Sequence, residues 1–325
     1  MTTFLTQRTG LAALALALLA ASGVQAQDYP TKPIRLVAPF PAGSGPDANA
    51  REIGAELTKI LGQTVFVENR PGASSIIGTD FAAKAAPDGY TLLVGTTTSM
   101  SVLPHLYAKL PFNVEKDFAP ISLLGVLNTG LIAHPGTPFK TARELVAHAK
   151  AQPDSVTVAT QGIGSYSHLS GEWFGASSGG KLRFVPYNTN SPYSDLLAGQ
   201  VNVMFDGLPA AAGNLRGGKL KLLAITGKAR HAAFPDVPTF AEAGLPDYAP
   251  LAWQGLLAPA GTPKPILDKL SAAMQKATQN PQLAEKWRMY GGELKATSPA
   301  EFAAFIKADS AMWGQVVRQA GVKLD

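Results

Sequence analysis

The amino-acid sequence predicts an α/β protein of two domains. Short runs rich in β-branched residues alternate with segments of helical periodicity, a pattern typical of βαβ units on parallel sheets. About 300 residues follow a predicted N-terminal leader, and that length corresponds to two domains of ordinary size. Because no disordered or low-complexity linker interrupts the chain, we expect ordered strands to join the domains and a small-molecule cleft to lie between them.

The segment 1–26 has the layout of a secretory signal peptide. Arg8 precedes an apolar run over 11–21, and small residues end the segment at Val24-Gln25-Ala26. The run is too short and too lightly flanked for a stable membrane span. The chain contains no cysteine, so neither a lipid anchor nor a disulfide can form. We predict an exported, freely soluble protein that begins near Gln27, in a bacterial periplasm.

The charge distribution argues against nucleic acid as a partner. The chain has 28 Lys and Arg against 23 Asp and Glu, a net charge of +5, and the basic residues are scattered rather than clustered. A modest positive field is compatible with an anionic ligand. The five histidines lack the spacing of metal ligands, and we expect neither a metal nor a cofactor.

The predicted elements follow one another in a regular order. The first part reads as strand 34–38, helix 47–61, strand 64–68, helix 75–85 and strand 91–94. The middle reads as an apolar stretch 120–133, helix 141–151, strand 156–159, helix 167–175, and strands 182–185, 201–205 and 220–226. Thr141 and Glu144 predict a capping box for the helix 141–151. The last part reads as strand 252–258 and two amphipathic helices, 263–279 and 299–318.

Three loops, at 39–47, 69–78 and 161–168, each follow a predicted strand and open a helix. Glycines let the backbone approach a ligand, and a helix N-terminus offers free N–H groups and partial positive charge, which suits a carboxylate or phosphate. The first loop is neither a Walker loop nor a dinucleotide fingerprint, and Asp47 is predicted to cap its helix. Arg70 is an anion partner, a surface charge or a partner of Glu68. His168 either orients its loop or is a satisfied core histidine, and a structural role is favoured.

An exported, esterase-like serine hydrolase using Ser177 or Ser165 is the alternative interpretation. Gly175-Ala176-Ser177-Ser178-Gly179 matches the nucleophile-elbow string. The string follows a predicted helix and precedes a predicted strand, however, which is the reverse of the strand–turn–helix context that exposes the nucleophile.

Several strings, in this order, resemble the substrate-binding proteins of tripartite tricarboxylate transporters, the Bug or TctC-like family. The resemblance covers essentially the whole mature chain. It rests on 29–34, 39–43 with Asp47 and Arg51, 67–73, 87–92, Gly164-Ser165 with His168-Leu169 and Gly171-Glu172, 185–187, 195–199, 218–220 with 223–224, and 235–239. The chain departs from the family at Ser44-Gly45-Pro46-Asp47, where more glycine and a threonine are usual. It departs again at Asn188-Thr189-Asn190, where the family commonly has Lys-Gly, and the lost lysine points to an altered ligand.

The resemblance implies a two-lobed periplasmic-binding-protein fold (type II-like) with Rossmann-like lobes joined by crossing strands. Lobe 1 would comprise 28–127 and 250–325, and lobe 2 would comprise 128–249. Such a protein is not an enzyme. It would capture a small mono- or dicarboxylate, aliphatic or aromatic, by Venus-flytrap closure, and deliver it as a monomer to membrane transporter subunits or, as an alternative, act as a sensory or scavenging binder.

The resemblance also implies which residues surround the ligand, largely through backbone amides, hydroxyl groups and ordered waters. From lobe 1 these are Phe40, Pro41, Ala42, Gly43, Ser44, Ala73, Ser74, Thr98 and Ser99. From lobe 2 these are Gly164, Ser165, Tyr187, Thr189, Asn190 and Asp206.

Overall fold

The computed structural model describes residues 29–187, 191–289 and 291–324, with the side chains of 209 and 210 left aside. The predicted signal peptide, 1–26, lies outside the described residues. Two β-sheets, one of six strands and one of five, organise the described chain. This arrangement confirms the predicted α/β class and places the two sheets in separate lobes.

The first sheet is built from both ends of the chain. Its strands are β1 (Ile34–Ala38), β2 (Val65–Asn69), β3 (Thr91–Thr96), β4 (Phe118–Leu127), β10 (Ala252–Pro259) and β11 (Gly292–Leu294), in the order β11-β4-β10-β3-β1-β2. β1 is parallel to β2 and β3, whereas β10 runs antiparallel between β3 and β4. Its helices are α1 (Gly45–Leu61), α2 (Ile76–Ala83), α3 (Leu103–Leu106), α4 (Val114–Asp117), α9 (Lys264–Thr278), α10 (Pro281–Met289) and α11 (Pro299–Ala320).

The second sheet comes from the middle of the chain. Its strands are β5 (Thr129–Ala133), β6 (Val156–Thr160), β7 (Leu182–Pro186), β8 (Val203–Gly207) and β9 (Lys221–Ile225), in the order β7-β6-β8-β5-β9. β6 is parallel to β7 and β8, whereas β5 is antiparallel to β8 and β9. Its helices are α5 (Ala142–Ala151), α6 (Tyr166–Ser178), α7 (Tyr193–Leu197) and α8 (Leu208–Arg216).

The predicted strands and helices are confirmed with ends that shift by up to three residues, but one detail, the capping box, was wrong. The apolar stretch 120–133 is two strands, β4 and β5, separated by Asn128, because the chain leaves one sheet there and enters the other. Thr141 Oγ1 accepts the Glu144 amide as predicted, but the Glu144 carboxylate accepts the Lys140 amide rather than that of Thr141. The short elements α3, α4, α7, α8, α10 and β11 were not predicted.

The long helix α11 connects the two halves of the core. Near its start, Phe302 is fully buried beneath Gly255 of β10, where a β-carbon would lie only 2.2 Å from the phenyl ring. Further along, the Trp313 ring packs edge-on against Tyr166 and Trp173 of α6, at centroid distances of 5.5 and 6.0 Å. Phe174 of α6 in turn packs on the second sheet. α11 therefore contacts the covering layers of both lobes.

None of the helices in the described part of the chain is both long and apolar enough to cross a bilayer.

Candidate functional site

Two sets of loops face each other between the lobes. In the first lobe, loops leave the carboxyl ends of the parallel strands β1, β2 and β3. In the second lobe, loops leave the carboxyl ends of β6, β7 and β8, which are parallel as well. Carboxyl ends of parallel strands meet at one edge of a sheet, which is where ligands bind in open α/β folds. Ser74 Oγ lies 3.5 Å from the Ile163 carbonyl oxygen, so the two edges are in contact at this point.

The loop after β1 is held in shape from behind by a buried carboxylate. Asp47 Oδ2 accepts hydrogen bonds from the Gly43 amide at 2.9 Å and from Arg51 Nε at 3.0 Å. Asp47 Oδ1 accepts one from Asn69 Nδ2 at 2.7 Å, and the same amide group donates to the Phe40 carbonyl. Burial opposes ionisation, but these bonds hold the pKa of the Asp47 carboxyl below its ordinary value. Asp47 therefore positions the loop as an ionised group.

The prediction that Asp47 caps its helix was wrong in one respect. Ser44 occupies the N-cap position in an extended conformation, and Asp47 is the third residue of α1. The Asp47 carboxylate reaches back to the Gly43 amide, while Ser44 Oγ donates to the Pro41 carbonyl at 2.7 Å. The acidic side chain satisfies a donor upstream of the helix, as the third-position residue of a capping box does.

Replacing Asp47 with alanine is expected to lower the free energy of unfolding by about 2 kcal/mol at pH 7, because three donors lose a charged acceptor. A lowered pKa stabilises the fold above the unfolded-state pKa and is lost as pH falls through the folded-state pKa, so the deficit should shrink at pH 3. Chemical denaturation at both pH values measures it. Asp268→Ala, which removes an exposed ion pair with Lys264, is the control and should cost under about 0.5 kcal/mol. Equal losses in the two variants would contradict the assigned role.

The loop after β2 has an unusual backbone. Ala73, Ser74 and Ser75 have φ values of 45°, 50° and 82°, three successive non-glycine residues in the left-handed region. Such residues are disfavoured by contact of the β-carbon with the backbone, and they concentrate at ligand clamps and active sites. The Ser75 amide donates to the Gly72 carbonyl, and α2 begins at the next residue. The predicted contacts Ala73 and Ser74 thus lie at the tip of a strained turn.

Arg70, which follows the same strand, is already engaged. Its guanidinium forms an ion pair with Glu68 and lies 3.6 Å from the centroid of the Phe81 ring. Glu68 also pairs with Arg35 at 3.0 Å. The interpretation of Arg70 as a partner of Glu68 is therefore confirmed.

The loop after β3 forms a single π-helical turn over 97–102. Thr96 and Ser99 cap it reciprocally, so the hydroxyl of the fully buried Ser99 is used within the loop. Thr97 Oγ1 donates to the Leu251 carbonyl and accepts the Trp253 amide, which ties the loop to β10. Thr98 is half-buried, and its hydroxyl has no hydrogen-bond partner among the described residues. Thr98 is thus the threonine of this loop that can offer its hydroxyl to a ligand.

The glycine-rich loop after β6 is organised by the start of α6. Ser165 is the N-cap, and its hydroxyl accepts the His168 amide at 3.3 Å. His168 Nδ1 accepts the Gly164 amide at 3.2 Å, and Gly164 has a φ of +78°. Burial lowers the pKa of His168 to about 4, so the ring is neutral and acts as an acceptor. His168 is thus a buried histidine with a satisfied hydrogen bond, as favoured, and the same bond orients the loop.

Asp206 lies at the end of β8, opposite Gly130 of β5. Its Oδ1 accepts the Gly207 amide at 2.8 Å, and its Oδ2 accepts the Tyr193 hydroxyl at 2.9 Å. Gln161 Nε2 lies 3.5 Å from the same Oδ2. Burial raises the pKa of Asp206 to about 6. These groups join the loops that follow β6, β7 and β8 into one polar surface.

The last predicted contacts lie beyond β7. The Tyr187 hydroxyl donates to Asp195 Oδ2 at 2.7 Å, and the Tyr187 amide extends the pairing of β7 with β6. Thr189 and Asn190 lie outside the described residues.

Sequence reasoning missed two residues that the structure brings to this surface, Gln161 and Tyr193. Gln161 is the first residue after β6, and the end of a parallel strand is itself a signal that its side chain lies at the ligand edge. Tyr193 begins α7, a helix too short to produce a visible period in the sequence.

Neither serine of the hydrolase alternative is placed as a nucleophile. Ser177 is exposed near the end of α6, just before the left-handed Gly179. Ser165 is buried, and its hydroxyl is bonded to the His168 amide and lies 3.0 Å from Ser167 Oγ. The nucleophile-elbow match therefore lacks its structural context.

The loops at the facing edges of the two lobes offer uncharged hydrogen-bond donors rather than cations. The described loops 39–46, 71–75, 97–102 and 161–167 contain neither lysine nor arginine. They present glycines, hydroxyl groups and the amino ends of α1, α2 and α6, which attract anions through free N–H groups and the helix dipole. Two α/β lobes with such loops facing each other define a two-lobed solute-binding protein.

Comparisons with known proteins identify the family. Residues 49–322 match the model of the tripartite tricarboxylate transporter family receptor, TctC, and the chain belongs to this family. It is 35% identical to the protein BugT of Bordetella pertussis over 94% of each chain. It also resembles the solved periplasmic binding protein BugD, with 34% identity, 91% of this chain and 99% of that chain covered, and a TM-score of 0.84.

Two further solved relatives carry ligands. A Rhodopseudomonas palustris protein with adipate is 31% identical, with 91% and 99% of the chains covered and a TM-score of 0.86. MatC from the same organism, with bound malate, is 34% identical, with 89% and 100% covered and a TM-score of 0.83. The family and these relatives are binding proteins, so the predicted two-lobed fold and the absence of enzymatic function are confirmed, and the hydrolase alternative is wrong.

Proposed function

We propose that this protein captures a small mono- or dicarboxylate, aliphatic or aromatic, in the cleft between its lobes. The observation that carries the proposal is the pair of facing loop sets, linked at Ser74 and Ile163, which offer amides and hydroxyl groups. Such donors stabilise a carboxylate without a salt bridge. The adipate and malate in two solved relatives support this class of ligand.

The proposed contacts come from the loops described above together with the segment beyond β7. They are Phe40, Pro41, Ala42, Gly43, Ser44, Ala73, Ser74, Thr98, Ser99, Gly164, Ser165, Tyr187, Thr189, Asn190 and Asp206. The hydroxyls of Ser99 and Ser165 are used within their own loops, so these two residues act by shaping the loops.

Binding would work by closure of the two lobes. Lobe 1 comprises 28–127 and 250–325, and lobe 2 comprises 128–249, a division supported by the membership of the two sheets. A ligand that contacts both lobes binds the closed form more tightly than the open form, and it therefore shifts the population toward closure.

The cellular role follows from the leader and the family. We propose that 1–26 directs export to the periplasm, without lipidation, and that the protein acts as a monomer that delivers its ligand to a tripartite tricarboxylate-type transporter. A sensory or scavenging binder would use the same cleft. Capture of membrane proteins by the ligand-loaded protein distinguishes these roles, since only transport requires the transporter subunits to be among them.

A thermal-shift screen of the mature chain, from Gln27, tests the binding function. The panel contains aliphatic and aromatic mono- and dicarboxylates, with amino acids and neutral sugars as comparison sets. A ligand at a hundred times its Kd stabilises the folded state by about 2.7 kcal/mol, which corresponds to a rise in Tm of roughly 5–8 °C. A rise with sugars but with no carboxylate would overturn the proposal.

A pair of variants tests whether the ligand binds in the proposed cleft. Thr98→Val removes a hydroxyl that has no partner among the described residues, so it should weaken carboxylate binding about tenfold with little change in unliganded Tm. Thr278→Val removes a hydroxyl at the end of α9, where it bonds the Gln275 carbonyl, and should leave affinity unchanged. Titration calorimetry on both variants gives the comparison, and equal affinities would place the ligand elsewhere.

A further inference from the structure

Asp206 is a carboxylate at the ligand edge of a protein that binds carboxylates. It is the penultimate residue of β8, which lies between β6 and β5 in the second sheet, and its side chain is only part-exposed. Gln161 beside it follows β6, whose loop meets Ser74 of the opposite lobe at Ile163. Asp206 thus lies at the edge of lobe 2 that faces the anion-binding loops of lobe 1.

The polar partners of Asp206 are neutral donors. The Gly207 amide and the Tyr193 hydroxyl each donate one hydrogen bond, and Gln161 Nε2 stands at the limiting distance of 3.5 Å. Burial first, and then Asp206 itself, raise the pKa of Tyr193 well above its ordinary value, so this tyrosine stays protonated. None of the ion pairs found in the described parts of the chain includes Asp206.

A carboxylate has about four acceptor sites, and the Gly207 amide, the Tyr193 hydroxyl and the long bond from Gln161 Nε2 fill three of them at Asp206, which leaves one. Asp206 lies near the carboxyl end of β8, and the neighbouring segments 39–46, 71–75, 97–102 and 161–167 contain neither lysine nor arginine, while Arg70 is paired with Glu68. A second carboxylate placed here would meet like charge, whereas a hydroxyl or ammonium would supply the missing donor. The site therefore favours a ligand group that donates a hydrogen bond over a carboxylate, which can only accept one.

We propose that Asp206 accepts a hydrogen bond from a hydroxyl or ammonium group at the end of the ligand remote from its anchored carboxylate. The inference rests on the proposed carboxylate-binding function and narrows its ligand class. The preferred ligand is a hydroxy acid or amino acid whose donor lies at this end, rather than a compound with a carboxylate at both ends.

Matched ligands of two lengths test the inference at pH 8, where Asp206 is ionised. The four-carbon set is 4-hydroxybutyrate, 4-aminobutyrate, butyrate and succinate, and the six-carbon set has the same end groups. Calorimetry on the mature chain should give at least tenfold tighter binding for the hydroxy or amino acid than for the diacid of equal length. The hydroxy and amino arms show which donor is used. Equal or tighter binding of the diacids would overturn the inference while leaving the proposed function intact.

Asp206→Asn provides the decisive variant, because an amide can donate to a carboxylate. Diacid affinity should rise about tenfold and amino-acid affinity should fall by a similar factor. Asp154→Asn is the matched control, since Asp154 is exposed at the opposite edge of the second sheet and its φ of 62° suits asparagine. Should Asp206→Asn fail to fold, Tyr193→Phe serves instead: it frees an acceptor site on Asp206 and should widen the preference for donors.

The experiments give different results when only this inference fails and when the proposed function fails as well. An unchanged ligand ranking in Asp206→Asn, with carboxylates still bound, would remove the role of Asp206 alone. Absence of binding by every acid in both sets and in the wider carboxylate panel would overturn the proposed function and the inference together.

Discussion

Replacing Trp253 with alanine is expected to lower the free energy of unfolding by about 3–5 kcal/mol, the range for truncating a buried tryptophan. Trp253 lies in β10 and is 1% exposed, with the Phe302 and Phe305 rings at 5.5 Å. Its indole Nε1 donates to Asp309 Oδ2 at 2.6 Å. The variant thus leaves both a cavity and a buried carboxylate without its donor, which corresponds to a fall in Tm of roughly 10 °C.

The Trp253→Ala deficit should also depend on pH. Burial raises the pKa of Asp309, and the side chains of Ser101, Trp253 and Trp313 oppose that rise, so the pKa should climb further when Trp253 is removed. A raised folded-state pKa gives stability that is present at low pH and lost as pH rises through that value. The deficit should therefore be larger at pH 8 than at pH 5.

Urea denaturation at the two pH values measures this effect. Trp287→Ala is the matched control, because Trp287 in α10 is equally buried, at 2% exposed, but packs against Gly125 and Gly292 without a carboxylate partner in the described chain. It should show a similar loss without the pH dependence. The same pH dependence in both variants would contradict the role assigned to the bond between Trp253 and Asp309.

Replacing Gly78 with alanine is expected to cost about 3 kcal/mol of stability and roughly tenfold in ligand affinity. A β-carbon at this position of α2 would lie 2.6 Å from the Arg70 carbonyl oxygen and 2.8 Å from Pro39 Cβ. The Arg70 oxygen belongs to the main chain and Pro39 Cβ belongs to a rigid ring. Because neither atom can easily give way, α2 must move. Pro39 and Arg70 begin the loops after β1 and β2, which we propose hold the ligand, and this movement would displace both loops.

Gly213→Ala is the control for this substitution. Gly213 is also helical, in α8, but a β-carbon there has open space around it. The control should be neutral or stabilising by about 0.5–1 kcal/mol, because alanine favours the helix. Calorimetry and thermal unfolding on the two variants separate helix propensity from crowding, and unaltered affinity in Gly78→Ala would show that α2 does not set the positions of the loops.

Local patterns were sufficient to predict the elements and the loops. The run 34–38 is β-branched and apolar, and Pro39 to Asp47 has glycines ahead of a helical period, so strand, loop and helix follow from the sequence. The ordered strings of the chain likewise predicted the family that the comparisons show. These features depend on residues close together in the chain, where backbone preference and burial pattern decide the structure.

Sequence patterns could not predict contacts between residues that are distant in the chain. Asp47 was predicted as a cap, but its role depends on Asn69, which pairing of β1 with β2 brings within 2.7 Å. Arg70 had three interpretations that only its contacts with Glu68 and Phe81 separated. No spacing in the sequence reveals these distances.

What the sequence by itself determined is the α/β class, the order of the main elements and the family, while the anion-binding role of the loops stays a prediction. The tertiary structure decided which side chains in and beside these loops remain free to contact a ligand. Ser99, Ser165 and Arg70 are used by neighbours, whereas Asp206 meets Gln161 and Tyr193 through parallel strands and a short helix. The physical reason is that a polar side chain is committed by whichever partner folding brings within about 3 Å, and that partner is often remote in sequence.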